Sequence, residues 1–116
     1  MADLMLDTDI FIDHIRGARV LRLNAEHIYY SIITRCELFA GGRAREDDLR
    51  ELLAAFSELG IDRTIAEVAG RIRRSVQIAT PDALIAATAL EHRLTLATRN
   101  VRDFGRVPGL QLTSST

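Results

Sequence analysis

The sequence predicts an α/β protein, a three-layer α/β/α sandwich with helices on both faces of a mainly parallel central sheet. Three observations carry that expectation. Short strand-type runs alternate with longer helical ones along the chain. The first of those runs, "LML" at 4–6, is apolar throughout, as a strand covered on both faces must be. The helical stretches are amphipathic or apolar nearly all round, so each requires a sheet face or another helix against it.

The run at 4–6 ends in a polar cluster, where Asp7 or Thr8 can cap a helix. In that helix Ile10, Phe11, His14 and Ile15 share one face, and Asp9, Asp13 and Arg16 share the other. Asp9 and Asp13 are therefore expected on a solvated face, helped by the helix dipole and by an Asp13–Arg16 pair. Asp7 escapes that account, because it sits where strand becomes helix. "HIYYSII", 27–33, is β-branched and aromatic and reads as a second strand. In "TRCELFAGG", Thr34 and Glu37 have capping-box spacing and Gly41–Gly42 form a stop. Leu49, Leu52, Leu53 and Phe56 then fall at i, i+3, i+4 and i+7 of an amphipathic helix.

After Gly60 and a short "ID" segment, "TIAE" repeats the capping spacing ahead of a helix whose core face is Ile65, Val68, Ala69, Ile72 and Val76. Thr80 is the expected N-cap and Pro81 the first residue of an alanine-rich helix that should lie deep. "LTLAT", 94–98, reads as a strand, "RNVRDFGRVPG" as a loop with at most a helical turn, and "LQL", 110–112, as a last short strand.

Composition narrows the class. At 116 residues, 47% hydrophobic and 27% charged, the chain is expected to form one domain over 1–116 with a real core. No apolar run approaches the roughly 18 residues that span a bilayer. No basic, signal-like N-terminal region is visible, and Cys36 is the single cysteine, so a reducing cytoplasmic setting is expected. Cys36 itself reads as a buried, inert thiol. A net charge of −1 does not announce a nucleic-acid binder, but the charges are unevenly placed. Residues 1–13 carry four aspartates and no base, and all fifteen basic residues of the chain are arginine. Arginine suits phosphate recognition, although a GC-rich genome produces the same bias.

In parallel sheets, ligands bind beyond the carboxyl ends of the strands, near a topological switch point. Asp7 closes the first strand, Glu37 begins the helix after the second, Asp82 starts the alanine-rich helix on its inward face, and Asp103 follows "LTLAT" with Asn100 before it. These acids can converge there. Without a cation four gathered carboxylates repel and their pKa values rise; oxygen-only ligands are what Mg²⁺ or Mn²⁺ prefers. Such a site attacks phosphodiesters. Thr8 and Thr98 can orient a carboxylate or water, and Arg99 and Arg102 can hold a nucleic-acid backbone. Each acid also has a plainer reading. Glu37 can complete the box with Thr34, Asp7 can be only a cap, Asp82 can serve the helix dipole, and Asp103 can pair with Arg102 or Arg106. His14, His27 and His92 have no zinc-ligand spacing, and no phosphate-cradling glycine loop is present.

"MLDTDIFID", "TRCELFAG", "PDALIAATAL" and "LATRNVRDFGRVPGL", in this order over nearly the whole chain, resemble PIN-domain proteins and, among them, VapC-type toxins of bacterial toxin–antitoxin pairs. The resemblance implies a PIN-like α/β/α fold and a Mg²⁺- or Mn²⁺-dependent endoribonuclease that cuts structured RNA, often tRNA or ribosomal RNA, and inhibits translation. It implies that Asp7, Glu37, Asp82 and Asp103 are the acidic quartet, with Thr8, Thr98 and Asn100 in support. It also implies a VapB-type antitoxin as partner and a homodimer. The chain is short for the family between Gly42 and Thr80, and "RSVQIAT" lacks a glycine often found before the third acid. Three rivals stand beside this reading: a metal-dependent DNA nuclease on the same acids, a Mg²⁺-binding signalling module of receiver type, and a PIN-like fold kept only for binding, with no turnover. The second relies on a lysine, and this chain has none.

Overall fold

In the computed structural model, which describes residues 3–17 and 27–114, the apolar run Leu4–Leu6 is the central strand β1 of a five-stranded sheet. Helix α1 (Thr8–Ile15) follows, then β2 (Ile28–Ser31), α2 (Ile32–Gly41), α3 (Glu46–Ala54), β3 (Ser57–Leu59), α4 (Arg63–Ser75), α5 (Thr80–Glu91), β4 (Thr95–Ala97), α6 (Val101–Phe104) and β5 (Leu112–Thr113). The strand order is β3-β2-β1-β4-β5, and every pairing is parallel. The expected α/β/α sandwich is the observed one.

Alternation along β1 divides the interior in two. Met5 points to one face, where Leu96 of β4 meets Ile65, Ala69 and Ile72 of α4 and the alanines of α5. Leu6 points to the other, where Ile28, Tyr30 and Ala97 meet Ile10 and Phe11 of α1, Leu38 of α2, and Leu49 and Leu53 of α3. Ala83, Ile85, Ala86, Ala87 and Ala89 are buried, so the middle of α5 lies deep between its exposed ends. Its one buried hydroxyl, Thr88, donates back to the Leu84 carbonyl at 2.8 Å.

Several local expectations are corrected. The second strand ends at Ser31, because the Ser31 hydroxyl oxygen accepts from the Ile33 N–H at 3.0 Å and caps α2 three residues before Thr34. Thr34 is thus a helix-interior residue and Glu37 closes no capping box. The stop is as expected, with Gly42 left-handed at φ 64°. Thr64 does not cap α4; Asp62 does, accepting from the Ile65 N–H at 2.8 Å. Thr80 lies inside α5, whose N-cap is Ala79 with no side-chain cap bond. Phe56 falls beyond α3, yet its ring still meets Phe11 edge-on at 5.4 Å. Strand β3 has no apolar signature, since Ser57 and Glu58 are exposed on the sheet edge. The last strand lies at 112–113, and Cys36 is exposed on α2, with its thiol turned away from the core.

The cap assignment is testable by urea unfolding: Asp62→Ala should lower stability by about 1 kcal/mol, while Thr64→Ala should change it by less than about 0.5 kcal/mol.

Candidate functional site

Strands β1 and β4 are neighbours whose connections leave in opposite directions, toward β2 and toward β5. Their carboxyl ends therefore open the crevice in which open α/β sheets take ligands. Asp7 and Thr98 are the first residues beyond the two strands, and the Leu6–Ala97 register sets them side by side. The Asp7 N–H donates to the Ala97 carbonyl at 2.9 Å, extending the ladder by one residue.

The Asp7 carboxylate is buried and fully engaged. Its Oδ1 accepts from the Thr8 N–H at 2.8 Å, which makes it the N-cap of α1, and its Oδ2 accepts from the Thr98 hydroxyl at 2.7 Å. The cap reading and the site reading of Asp7 are thus both true. Burial, then the Asp9 charge, and more weakly the Asp82 charge, push its pKa up to about 7 against the pull of those two hydrogen bonds.

Glu37 projects from the second turn of α2. Its Oε1 accepts from the Thr8 hydroxyl at 2.7 Å. That hydroxyl's single proton is thereby used, so the Thr34 hydroxyl 2.9 Å away must be the donor to Thr8. Asp82 stands in the first turn of α5, half-buried. Burial raises its pKa, and the charges of Glu37, Asp103 and Asp9 add to the rise. Asp82 is therefore the point at which the separate acids feel one another. Asn100 caps α6, its Oδ1 accepting from the Asp103 N–H at 3.4 Å while its Nδ2 donates to Asp103 Oδ2 at 3.2 Å. The Asp103–Arg106 approach is long, 3.8 Å, and Arg102 makes no ion pair among the described residues.

Asp9 corrects the sequence reading. It is not on a solvated face. Its Oδ2 accepts from the Arg99 N–H at 3.0 Å and meets the Thr98 hydroxyl at 3.3 Å, and burial raises its pKa. Its Oδ1 is buried with no partner. Asp13 is likewise half-buried and pairs with Arg99 at 2.8 Å, not with Arg16. Asp9 and Thr34 are the two members that sequence reasoning missed. Asp9 had a signal: like Asp82, it occupies the first turn of a helix that starts at the carboxyl end of the sheet.

The donor set is oxygen alone, from carboxylates, which is the chemistry of Mg²⁺ and Mn²⁺. The orphaned Asp9 Oδ1 and the rise of Asp7 and Asp82, caused first by burial and then by neighbouring acids, mark groups that a cation would stabilise. Among the described residues no three side chains already close into a metal cage. Glu37 and Asp103 are instead turned to Thr8 and Asn100. A hard cation that keeps several waters needs only one or two of these carboxylates directly, so the residues fit it.

A profile of the PIN domain family matches residues 4–110. The chain is 39% identical over 122 residues to "Ribonuclease VapC19" of Mycobacterium tuberculosis, covering 92% of this chain and 96% of that protein. It is 34% identical over 126 residues to "Ribonuclease VapC1" of Rickettsia felis, covering 94% and 93%. Among solved structures, DNA-bound VapBC from Salmonella typhimurium superposes with a TM-score of 0.85 at 26% identity, over 97% of this chain and 98% of that one. A toxin–antitoxin complex from Klebsiella pneumoniae does so with a TM-score of 0.78 at 32% identity, over 93% and 95%.

The raised Asp7 pKa sets a sign for stability. The folded protein without cations holds this proton to about pH 7, whereas the unfolded chain releases it near the ordinary 3.8. The folded state therefore binds the extra proton between those values, and this group's contribution to stability is fully present below about pH 4 and is lost as pH rises toward 7, by up to roughly 4 kcal/mol. Thermal melts of EDTA-treated protein from pH 5 to 8 should show that fall. Asp7→Asn should flatten it, and millimolar Mg²⁺ should restore stability to the unmutated protein at pH 8.

Proposed function

This chain belongs to the PIN domain family and, within it, to the VapC ribonucleases, and from that premise we propose that it is the metal-dependent endoribonuclease toxin of a toxin–antitoxin pair. The observation that supports the reading is Asp82, whose pKa burial raises with the charges of Glu37, Asp103 and Asp9 adding to the rise, at the switch point where Asp7 is pushed up to about 7.

Asp7, Asp82 and Asp103 hold Mg²⁺ or Mn²⁺, and Glu37 joins them or positions the attacking water. The bound ion supplies Lewis-acid activation of water and charge neutralisation at the phosphate. The rest belongs to the chain. Thr98 and the Thr8 N–H fix both oxygens of Asp7, so that it enters the reaction without reorganising. Thr8 holds Glu37 by one oxygen and leaves the other to accept a proton as water attacks phosphorus in line, while the opposite P–O bond breaks and its leaving oxygen takes a proton from solvent. Asn100 sets the rotamer of Asp103. Arg102, exposed on α6, is the backbone-holding arginine of the site.

The substrate is RNA, of the tRNA or ribosomal class, and its cleavage stops translation in the cytoplasm. Structural relatives solved as VapBC complexes support a VapB-type antitoxin as partner, and a homodimer is the expected assembly. Within the described residues no helix is long and apolar enough to cross a membrane. The 116 residues act as one PIN domain.

Purified protein, free of antitoxin, should cut total cellular RNA and leave single-stranded DNA intact, with Mg²⁺ or Mn²⁺ required and EDTA inhibiting. Asp7→Asn, which removes charge from a repulsive cluster, should lower the rate by at least about a thousandfold and leave folding intact, as judged by circular dichroism. Equal cutting by the variant overturns the assignment of Asp7. Preferential cutting of DNA selects the DNA nuclease, and metal binding without cleavage of either polymer selects a binding module.

A further inference from the structure

Arg99 is offered by the sequence as a residue for RNA, yet its Nε and its backbone N–H already have partners on α1, although its side chain stays half exposed. Its Nε lies 2.8 Å from Asp13 Oδ2 in an ion pair, and the Asp13 side chain is only 13% exposed. Its backbone N–H donates to Asp9 Oδ2 at 3.0 Å. Asp9 and Asp13 are one helical turn apart, so α1 grips this single residue at two heights. The next residue continues the chain of contacts. The Asn100 N–H donates to the Thr98 hydroxyl oxygen at 2.9 Å, and the Asn100 side chain holds both the backbone and the carboxylate of Asp103.

This matters because α6 has four residues, too few to hold its own orientation in water. The strands do not supply it either, since β1 and β4 share three residue pairs and Asp103 lies six residues beyond the last of them. Phe104, fully buried beside Asp103, anchors α6 in the core, and the α1 contacts hold the turn that leads into it; α1 begins at Asp7 itself. Moving Arg99 off Asp13 leaves that half-buried carboxylate without its partner, which ties the stem of the guanidinium to α1.

We propose that Asp9, Asp13 and Arg99 form a latch between α1 and the β4–α6 turn that fixes Asp103 relative to Asp7, so that Asp13 and Arg99 are positioning residues and not RNA contacts. The inference rests on the metal reading given above.

The test is Mn²⁺ binding by the RNA-free protein, followed by calorimetry, beside binding of bulk tRNA in EDTA. The variants are Asp13→Asn, Arg99→Gln, both together, and Arg99→Lys, each checked for folding by its unfolding midpoint. Each of the first two should weaken Mn²⁺ binding roughly tenfold, as loss of an outer partner of a metal ligand does. The double variant should be no weaker than the worse single one, because the two residues act as one contact. Arg99→Lys, which can still reach Asp13, should keep most of the affinity, and tRNA binding in EDTA should be unchanged throughout.

Loss of tRNA binding in Arg99→Gln but not in Asp13→Asn would make Arg99 an RNA contact and overturn the latch. So would additive losses, or Mn²⁺ affinity equal to that of the unmutated protein in folded variants. No Mn²⁺ uptake by the unmutated protein would overturn the metal reading and this inference with it, which separates that failure from failure of the latch alone.

Discussion

The contact on which the site depends is the parallel pairing of β1 with β4, in the register that sets Leu6 against Ala97. Met5 and Leu6 belong to different cores, so a slip of one residue would turn each into the wrong one. The register is therefore held by hydrophobic burial on both sides, not by any residue of the site. Its consequence appears one step further on, where Asp7 and Thr98 leave the ladder together and meet at 2.7 Å. Apolar packing thus places a carboxylate that packing alone would reject.

That placement has an energetic consequence. Asp7 is 6% exposed and Asp9 adds its charge nearby, so the folded state is least comfortable where it has gathered the most acids. The two well-filled cores on either face of the sheet offset this, and they are made of residues that take no part in the chemistry. Scaffold and site therefore pull in opposite directions at neutral pH, a pattern that marks functional sites more often than structural ones.

The sequence shows some of this and hides the rest for identifiable reasons. The all-apolar "LML", the strongly periodic face of α4 and the alanine-rich α5 each report burial, and burial is what hydrophobic pattern encodes. The cap residues were less legible. Ser31 and Asp62 precede Thr34 and Thr64 by two or three positions, and both pairs offer an oxygen, so spacing alone cannot choose between them. β-branched Ile32 and Ile33 extended the apparent strand, yet they form the first turn of α2 because Ser31 caps it and Ile33 packs on the core. Strand β3 is an exposed edge held by backbone pairing with β2, which leaves no side-chain signature. Asp9 and Asp13 looked solvated because a helical wheel shows only the helix; the Thr98–Arg99 turn that covers them comes from the far end of the chain.

The choice of groups around the acids follows from what they must leave available. Glu37 and Asp7 are oriented by the hydroxyls of Thr8 and Thr98, with Thr34 behind Thr8. A guanidinium in any of those places would orient a carboxylate more strongly, but it would also neutralise it and lower its affinity for a cation. A hydroxyl fixes geometry and leaves the charge in place. The arginines fit the same division. Arg99 is drawn to Asp13 on the outer turn of α1, and Arg106 donates to the Gln77 carbonyl at 3.2 Å while standing 3.8 Å from Asp103. Positive charge is thus kept to the border of the acidic crevice, where it steadies the elements that carry the acids. The interior is left to carboxylates and hydroxyls, as the proposed cation would require.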